Sequence, residues 1–244
     1  MNRRQLKTDV LTLLEESSTE ELPEKLSKHQ AHRLINPLFI ALCHPIEKVR
    51  WHAVVSFGWL VPVIAEKDLE AGRIVMRRFL WSLNDESGGI GWGCPEAMAE
   101  IMCHSSSLRK EYIHMLISYM REDGENLFED GNYLELPMLQ RGLLWGIGRL
   151  CQDHRQEMIE QQIVDDVLAY LNSSDPYVIG LAIWCLGLVG DKTGLEQNRH
   201  LQGYNEILHL FVNKEFHDLS VAELFETAFR KASEKGSKID DSAC

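Results

Sequence analysis

Apolar residues in this chain recur with the spacing of helices, and the clearest run lies between Asp175 and Asp191, DPYVIGLAIWCLGLVGD. Ala182, Leu186 and Val189 fall on one stripe, and Gly190-Asp191 supplies the residue that closes a helix in the left-handed conformation. The same order of small and apolar positions recurs upstream three times. It reads Val49, Ala53, Phe57, Gly58, then Gly93, Ala97, Ile101, Met102, then Leu139, Leu143, Ile147, Gly148. Positions 58, 102, 148 and 187 are 44, 46 and 39 residues apart. A self-similarity of roughly 40 to 47 residues is the period of stacked helical pairs, each of which buries its apolar face on its neighbours.

Read in order, residues 1–26 predict a capping helix with Leu6, Val10, Leu13 and Leu14 on its apolar face. Helical pairs follow over 27–66, 67–105, 106–153 and 154–195. In the first, Pro37 predicts a kink or restart. In the fourth, the first helix is expected over Gln156–Leu171. A weaker fifth pair is expected over 200–233, with helices at Tyr204–Val212 and Leu219–Ala232. The polar tail 234–244 reads as disordered, and 1–233 as a single domain. Two segments interrupt the pattern. The glycines of Asn84–Ala97 fit neither phosphate-loop spacing, and the acidic stretch Arg121–Leu136 does not match a calcium loop and reads as solvated.

The segment Ala182–Glu196, AIWCLGLVGDKTGLE, resembles the second helix and exit turn of a HEAT repeat of the phycobilisome-lyase-like kind, and RWHAVVSFGWLV resembles it more loosely. The resemblance covers roughly residues 27 to 233. It implies an all-α fold, a right-handed α-α superhelix (HEAT/armadillo-like solenoid) of four to five helical pairs, and says little about activity.

Composition narrows the partner rather than the fold. With 25% charged residues and a net charge of -12, the chain lacks the basic footprint that nucleic acid or an anionic membrane surface calls for. No apolar run reaches membrane-spanning length, the first residues do not read as a secretory signal, and six cysteines stand singly. These features point to a cytoplasmic protein with reduced thiols.

Candidate chemistry comes from one column of the second helices, stepping by four, three and four residues beside the core stripe. It reads Lys48, His52, Val55, Trp59; Trp92, Glu96, Ala99, Cys103; Met138, Gly142, Trp145, Arg149; and Tyr177, Leu181, Trp184, Leu188. Four of the six tryptophans lie on it. Second helices line the concave face of HEAT-like repeats, so the resemblance implies a groove with His52, Trp59, Trp92, Glu96, Trp145, Arg149 and Trp184 as partner- or ligand-binding residues. Trp145 and Trp184 equally suit the packing between helical layers.

No catalytic set is identified, and no metal or cofactor is expected. Cys43, His44, His52, Cys94, Cys103 and His104 are of zinc-binding type but lack ligand-pair spacing. The chain contains no His-Glu dipeptide of the kind repeated in HEAT-type iron hydroxylases. The expected function is a protein-interaction scaffold or adaptor whose partner offers a basic or amphipathic segment. The alternative is a small-ligand binder or an enzyme, glycosylase-like or lyase-like, on the tryptophan-lined face.

Overall fold

A computed structural model describes residues 2–84, 91–122 and 132–240, with side chains through Glu234. Gly88, Gly89, the centre of the acidic stretch and the last residues of the tail lie outside the described residues. The chain resolves into two compact units, Met1–Leu116 and Ile117–Cys244.

Unit 1 begins with α1 (Arg3–Glu16), whose Leu6, Val10 and Leu14 are buried, as the spacing predicts. A short α2 (Leu22–Ser27) leads into α3 (Ala31–Leu42) and α4 (Glu47–Lys67), then α5 (Leu69–Leu83) and α6 (Cys94–His104). The unit boundary falls within α7 (Ser106–Ser118). Both α3 and α4 run through a proline, Pro37 and Pro62. The core centres on Phe39, Phe57 and Phe79, whose ring centroids lie 4.5 to 5.0 Å apart. Full burial of Phe57 and Phe79 contributes about 2 to 3 kcal/mol each. The Arg73 guanidinium of α5 forks onto Glu111 of α7 through Nε at 2.7 Å and a terminal nitrogen at 2.5 Å.

Unit 2 contains α8 (Pro137–Asp153), α9 (Arg155–Glu160), α10 (Val164–Ala169), α11 (Pro176–Val189), α12 (Lys192–Gln197), strands β1 (Ile207–Val212) and β2 (Glu215–Ser220), and α13 (Val221–Asp240). The organising helix α11 forms as the sequence dictates. The Asp175 carboxylate accepts from the amides of Tyr177 and Val178, and Gly190 closes the helix at φ 86°. Ala182 and Leu186 are fully buried, and Val189 nearly so. Asp175 also receives the Arg141 guanidinium of α8 at 2.6 and 2.9 Å, so one carboxylate both caps a helix and ties it to its neighbour.

The single helix read over Gln156–Leu171 is broken into α9 and α10, with Gln162 in the left-handed region at φ 56°. Arg155, at the start of α9, donates to the carbonyls of Leu188 and Val189 at the end of α11. That contact satisfies carbonyls the helix end leaves open.

The helix expected over Tyr204–Val212 is instead the first strand of an antiparallel hairpin, with Leu208 opposite Leu219 and Phe211 opposite Phe216. Alternate burial of Leu208 and Leu210 is the strand period. The turn residues Asn213 and Lys214 take φ of 53° and 68°, the double left-handed conformation of a two-residue hairpin turn, which asparagine tolerates. The described residues are therefore mostly helical, with one hairpin.

Candidate binding sites

Four of the seven column residues belong to unit 1 and three to unit 2. His52 is buried in α4, and its Nδ1–H donates to the Leu14 carbonyl of α1 at 2.7 Å. Burial holds its pKa below the usual histidine value, against the opposing pull of that bond. Trp59 is half-buried. Trp92 is exposed just ahead of α6, where Gly93 takes φ 73° and Pro95 occupies the first turn.

Glu96 follows in that first turn. Its Oε2 is shielded from solvent and has no hydrogen-bond partner. Burial pushes its carboxyl up to about 7, while its own amide and the Arg50 charge pull the other way. It is an acid held near neutrality by its surroundings.

In unit 2, Trp145 is buried, and its indole N–H donates to the Phe211 carbonyl at 2.5 Å, joining α8 to β1. Trp184 is half-buried against the same helix. A Cβ on Gly148 would stand 2.1 Å from its ring, so the glycine makes room for the indole. Arg149, one residue on, pairs with Asp153 at 2.7 Å. His52 and Trp145 thus act as struts within their own units, while Trp92 and Glu96 lie together at one helix start.

A different constellation emerges in unit 2. A cavity of about 480 Å³ is bordered by Met120–Glu122, Tyr133, Gln140 and the stretch from Asp165 to Ser173. Tyr133 and Tyr170 stack at 6.4 Å with their planes 30° apart. Gln140 Nε2 donates to the Tyr133 hydroxyl at 3.0 Å and to the Leu134 carbonyl at 2.8 Å, which fixes the outer ring. The Tyr170 hydroxyl donates to the Met120 carbonyl at 3.3 Å. Burial first, then Tyr133 and Asp166, raises its pKa well above the ordinary range, so it stays neutral.

Around the rings stand Glu122, Asp165 and Asp166, and Asp166 accepts two bonds from Arg121 at 2.8 and 3.0 Å. The arrangement is an aromatic wall with an acidic rim, chemistry that accommodates a cationic side chain. The sequence offered only weak signs of it. Asp165-Asp166 and Tyr133 are unremarkable singly, and the cavity draws on segments scattered over some fifty residues.

Among the described residues, no group of three or more His, Cys, Asp or Glu is placed to hold a metal ion. No described helix is long and apolar enough to cross a membrane. Cys94, Cys103, Cys151 and Cys185 are buried and Cys43 is exposed, and none of these five forms a disulfide.

No protein-family model and no curated protein matches the chain. Solved structures do. A designed armadillo repeat protein in complex with the peptide (KR)4 is 18% identical, with a TM-score of 0.52 over 95% of this chain and 90% of that one. A second designed armadillo repeat protein is 16% identical, with a TM-score of 0.51 over 95% and 94% of the two chains. An engineered protein is 12% identical, with a TM-score of 0.51 over 96% and 98%. Identities this low speak for fold alone. By its fold, the chain is a HEAT/armadillo-like helical repeat protein.

Proposed function

We propose that the protein is a peptide-binding repeat scaffold whose partner presents a basic or amphipathic segment, and that the acidic tyrosine-walled cavity of unit 2 receives a cationic side chain of that segment. The observation that carries the reading is the cavity itself, with Tyr133 and Tyr170 as its wall and Glu122 and Asp165 at its rim. The charge distribution supports it. Residues 117–244 hold 22 Asp and Glu against 11 Lys and Arg, a field that steers a cationic segment towards this unit. A designed neighbour that binds (KR)4 supports the same partner chemistry. A cytoplasmic location belongs to this proposal, and singly buried thiols accord with it.

Fluorescence anisotropy with a labelled (KR)4 peptide tests the reading. Saturable binding that weakens at least tenfold in the double variant Glu122→Lys, Asp165→Lys, with circular dichroism unchanged, is the expected result. Equal affinity for wild type and variant would remove the cavity from the account.

A second reading, a small-ligand site on the tryptophan column, is favoured by one observation: the shielded, partnerless Oε2 of Glu96 beside exposed Trp92. In that reading Trp92 supplies apolar surface and Glu96 the polar anchor, both within unit 1. Native mass spectrometry of protein from its own host, compared with a denatured sample, tests it. A stoichiometric small-molecule mass absent from a Trp92→Ala, Glu96→Gln variant supports this reading, and a bare wild-type mass counts against it.

A further inference from the structure

The sequence puts cations where a helix disfavours them. Arg3 and Arg4 occupy the first turn of α1, at the positive end of the macrodipole. Arg3 and Lys7 are one turn apart on one face, a like-charge pair that costs an isolated helix a few tenths of a kcal/mol. Nothing in the packing of α1 asks for this, because its buried stripe is Leu6, Val10 and Leu14. The acid one turn further on, Asp9, accepts from Gln5 Nε2 at 2.7 Å and does not border the cavity these cations line.

Together with α3, these residues enclose a cavity of about 640 Å³. Arg3, Arg4 and Lys7 line it from α1, and His32 and Arg33 from α3, with no carboxylate among the described lining residues. Its floor is apolar: Leu6, Pro37 and Ile40, the last 45% exposed. Asn36 borders the same space, and its side-chain oxygen accepts from Arg78 of α5 at 2.6 Å. Arg78 in turn lies 3.8 Å over the Phe39 ring, which fixes a further positive charge behind that wall. Four permanent cations thus converge on an apolar floor in a chain whose net charge is -12.

We propose that this cavity binds an acidic peptide segment of a partner protein, with carboxylates on Arg3, Arg4, Lys7 and Arg33 and one apolar side chain seated on Pro37 and Ile40. Charge complementarity selects the sign of the ligand, and the apolar floor selects a segment that carries a hydrophobic anchor. Nucleic acid suits the surface less well. Residues 1–116 hold 14 Lys and Arg against 15 Asp and Glu, so the cations form a local concentration in a balanced unit and not the extended basic stripe a phosphate backbone needs. The site is separate from the acidic cavity of unit 2 and takes a ligand of opposite charge, so its test does not depend on that one.

The experiment is an anisotropy titration of the full chain with a labelled peptide of alternating Glu and Leu, a Glu-Ser peptide of equal charge, a single-stranded oligodeoxynucleotide, and vesicles of anionic phospholipid. The expected result is saturable one-to-one binding of the Glu-Leu peptide. It should be at least tenfold weaker for the Glu-Ser peptide and for the exposed double variant Arg4→Glu, Lys7→Glu, and largely retained by Arg4→Lys. The variant Glu122→Lys, Asp165→Lys should bind it as wild type does. Tighter binding of the oligonucleotide or retention on the vesicles would reassign the site to nucleic acid or to a lipid surface. No binding of the Glu-Leu peptide, or equal binding by the Arg4→Glu, Lys7→Glu variant, would overturn the proposal outright.

Discussion

In unit 1 the cavity between α1 and α3 is lined by Arg3, Arg4, Lys7 and Arg33 over an apolar floor. In unit 2 the cavity beside α10 is rimmed by Glu122, Asp165 and Asp166 around two stacked tyrosines. Both rest on helices whose inward faces are ordinary Leu, Val, Ile and Phe positions. Charge nevertheless divides sharply: residues 117–244 carry nearly all of the net negative charge, while residues 1–116 are close to balanced. The repeat therefore constrains the buried stripe of each helix and leaves the remaining positions free to set binding chemistry separately in each unit. Whole-chain charge, read alone, describes unit 2 and conceals the cationic cavity of unit 1.

Packing carries stability and the cavities carry specificity, and variants can separate the two. The largest effect is expected from Phe57→Ala, which empties the centre of the Phe39, Phe57, Phe79 cluster. It should lower the unfolding free energy by about 3 to 5 kcal/mol in urea titrations. A loss under 1 kcal/mol would mean that unit 1 is not held by that core.

The next effect sharpens the contrast between acids. Those rimming the unit 2 cavity are surface groups or bonded to Arg121, whereas Glu96 in unit 1 is shielded and raised to about 7 from an ordinary 4.5. A carboxyl whose folded pKa is raised binds more protons folded than unfolded. Its contribution to stability is fully present below about 4.5 and is lost as the pH rises through 7. The stability of wild type relative to Glu96→Gln should therefore fall by on the order of 3 kcal/mol between pH 4.5 and 8. A difference that does not vary with pH would show that the carboxyl is hydrated. His52 works in the opposite sense. Its pKa is lowered by burial, so its contribution is present above the ordinary histidine value and is lost on acidification. A His52→Gln variant should lose less stability than wild type as pH falls below 6.5.

Charge reversal at Glu122 and Asp165 should weaken (KR)4 binding by about 1.4 kcal/mol or more, the tenfold loss given above, and leave acidic-peptide binding intact. Cross-effects between the two peptides would break the division of labour between the units. The smallest effect is expected from Arg4→Glu, Lys7→Glu on folding itself: under about 0.5 kcal/mol, because both side chains are exposed. A larger destabilisation would make those cations structural.

The sequence revealed most where local chemistry and packing agree. Asp175, Pro176 and Gly190 announce both ends of α11, and its buried stripe follows the period. The hairpin was hidden because ILHLFV is equally apolar as a helix turn or a strand, and only the two left-handed residues Asn213 and Lys214 decide between them. The break in the helix after Glu160 depends on a glutamine in a conformation its residue type does not advertise. Register places His52 and Trp145 on the expected groove, with Trp145 equally suited to packing between helical layers. Their polar atoms instead bond backbone carbonyls at Leu14 and Phe211, 38 and 66 residues away, a relation no local pattern encodes. The cavities were least legible of all, because each is assembled from separate segments and is defined by what surrounds a space.

The most direct test of peptide recognition by the acidic cavity is hydrogen exchange of the full chain with and without saturating (KR)4. The account predicts slowed exchange at Met120–Glu122, around Tyr133 and across residues 165–173, with α1 and α3 unchanged. Protection centred on α1 and α3, or none anywhere at saturation, would contradict it.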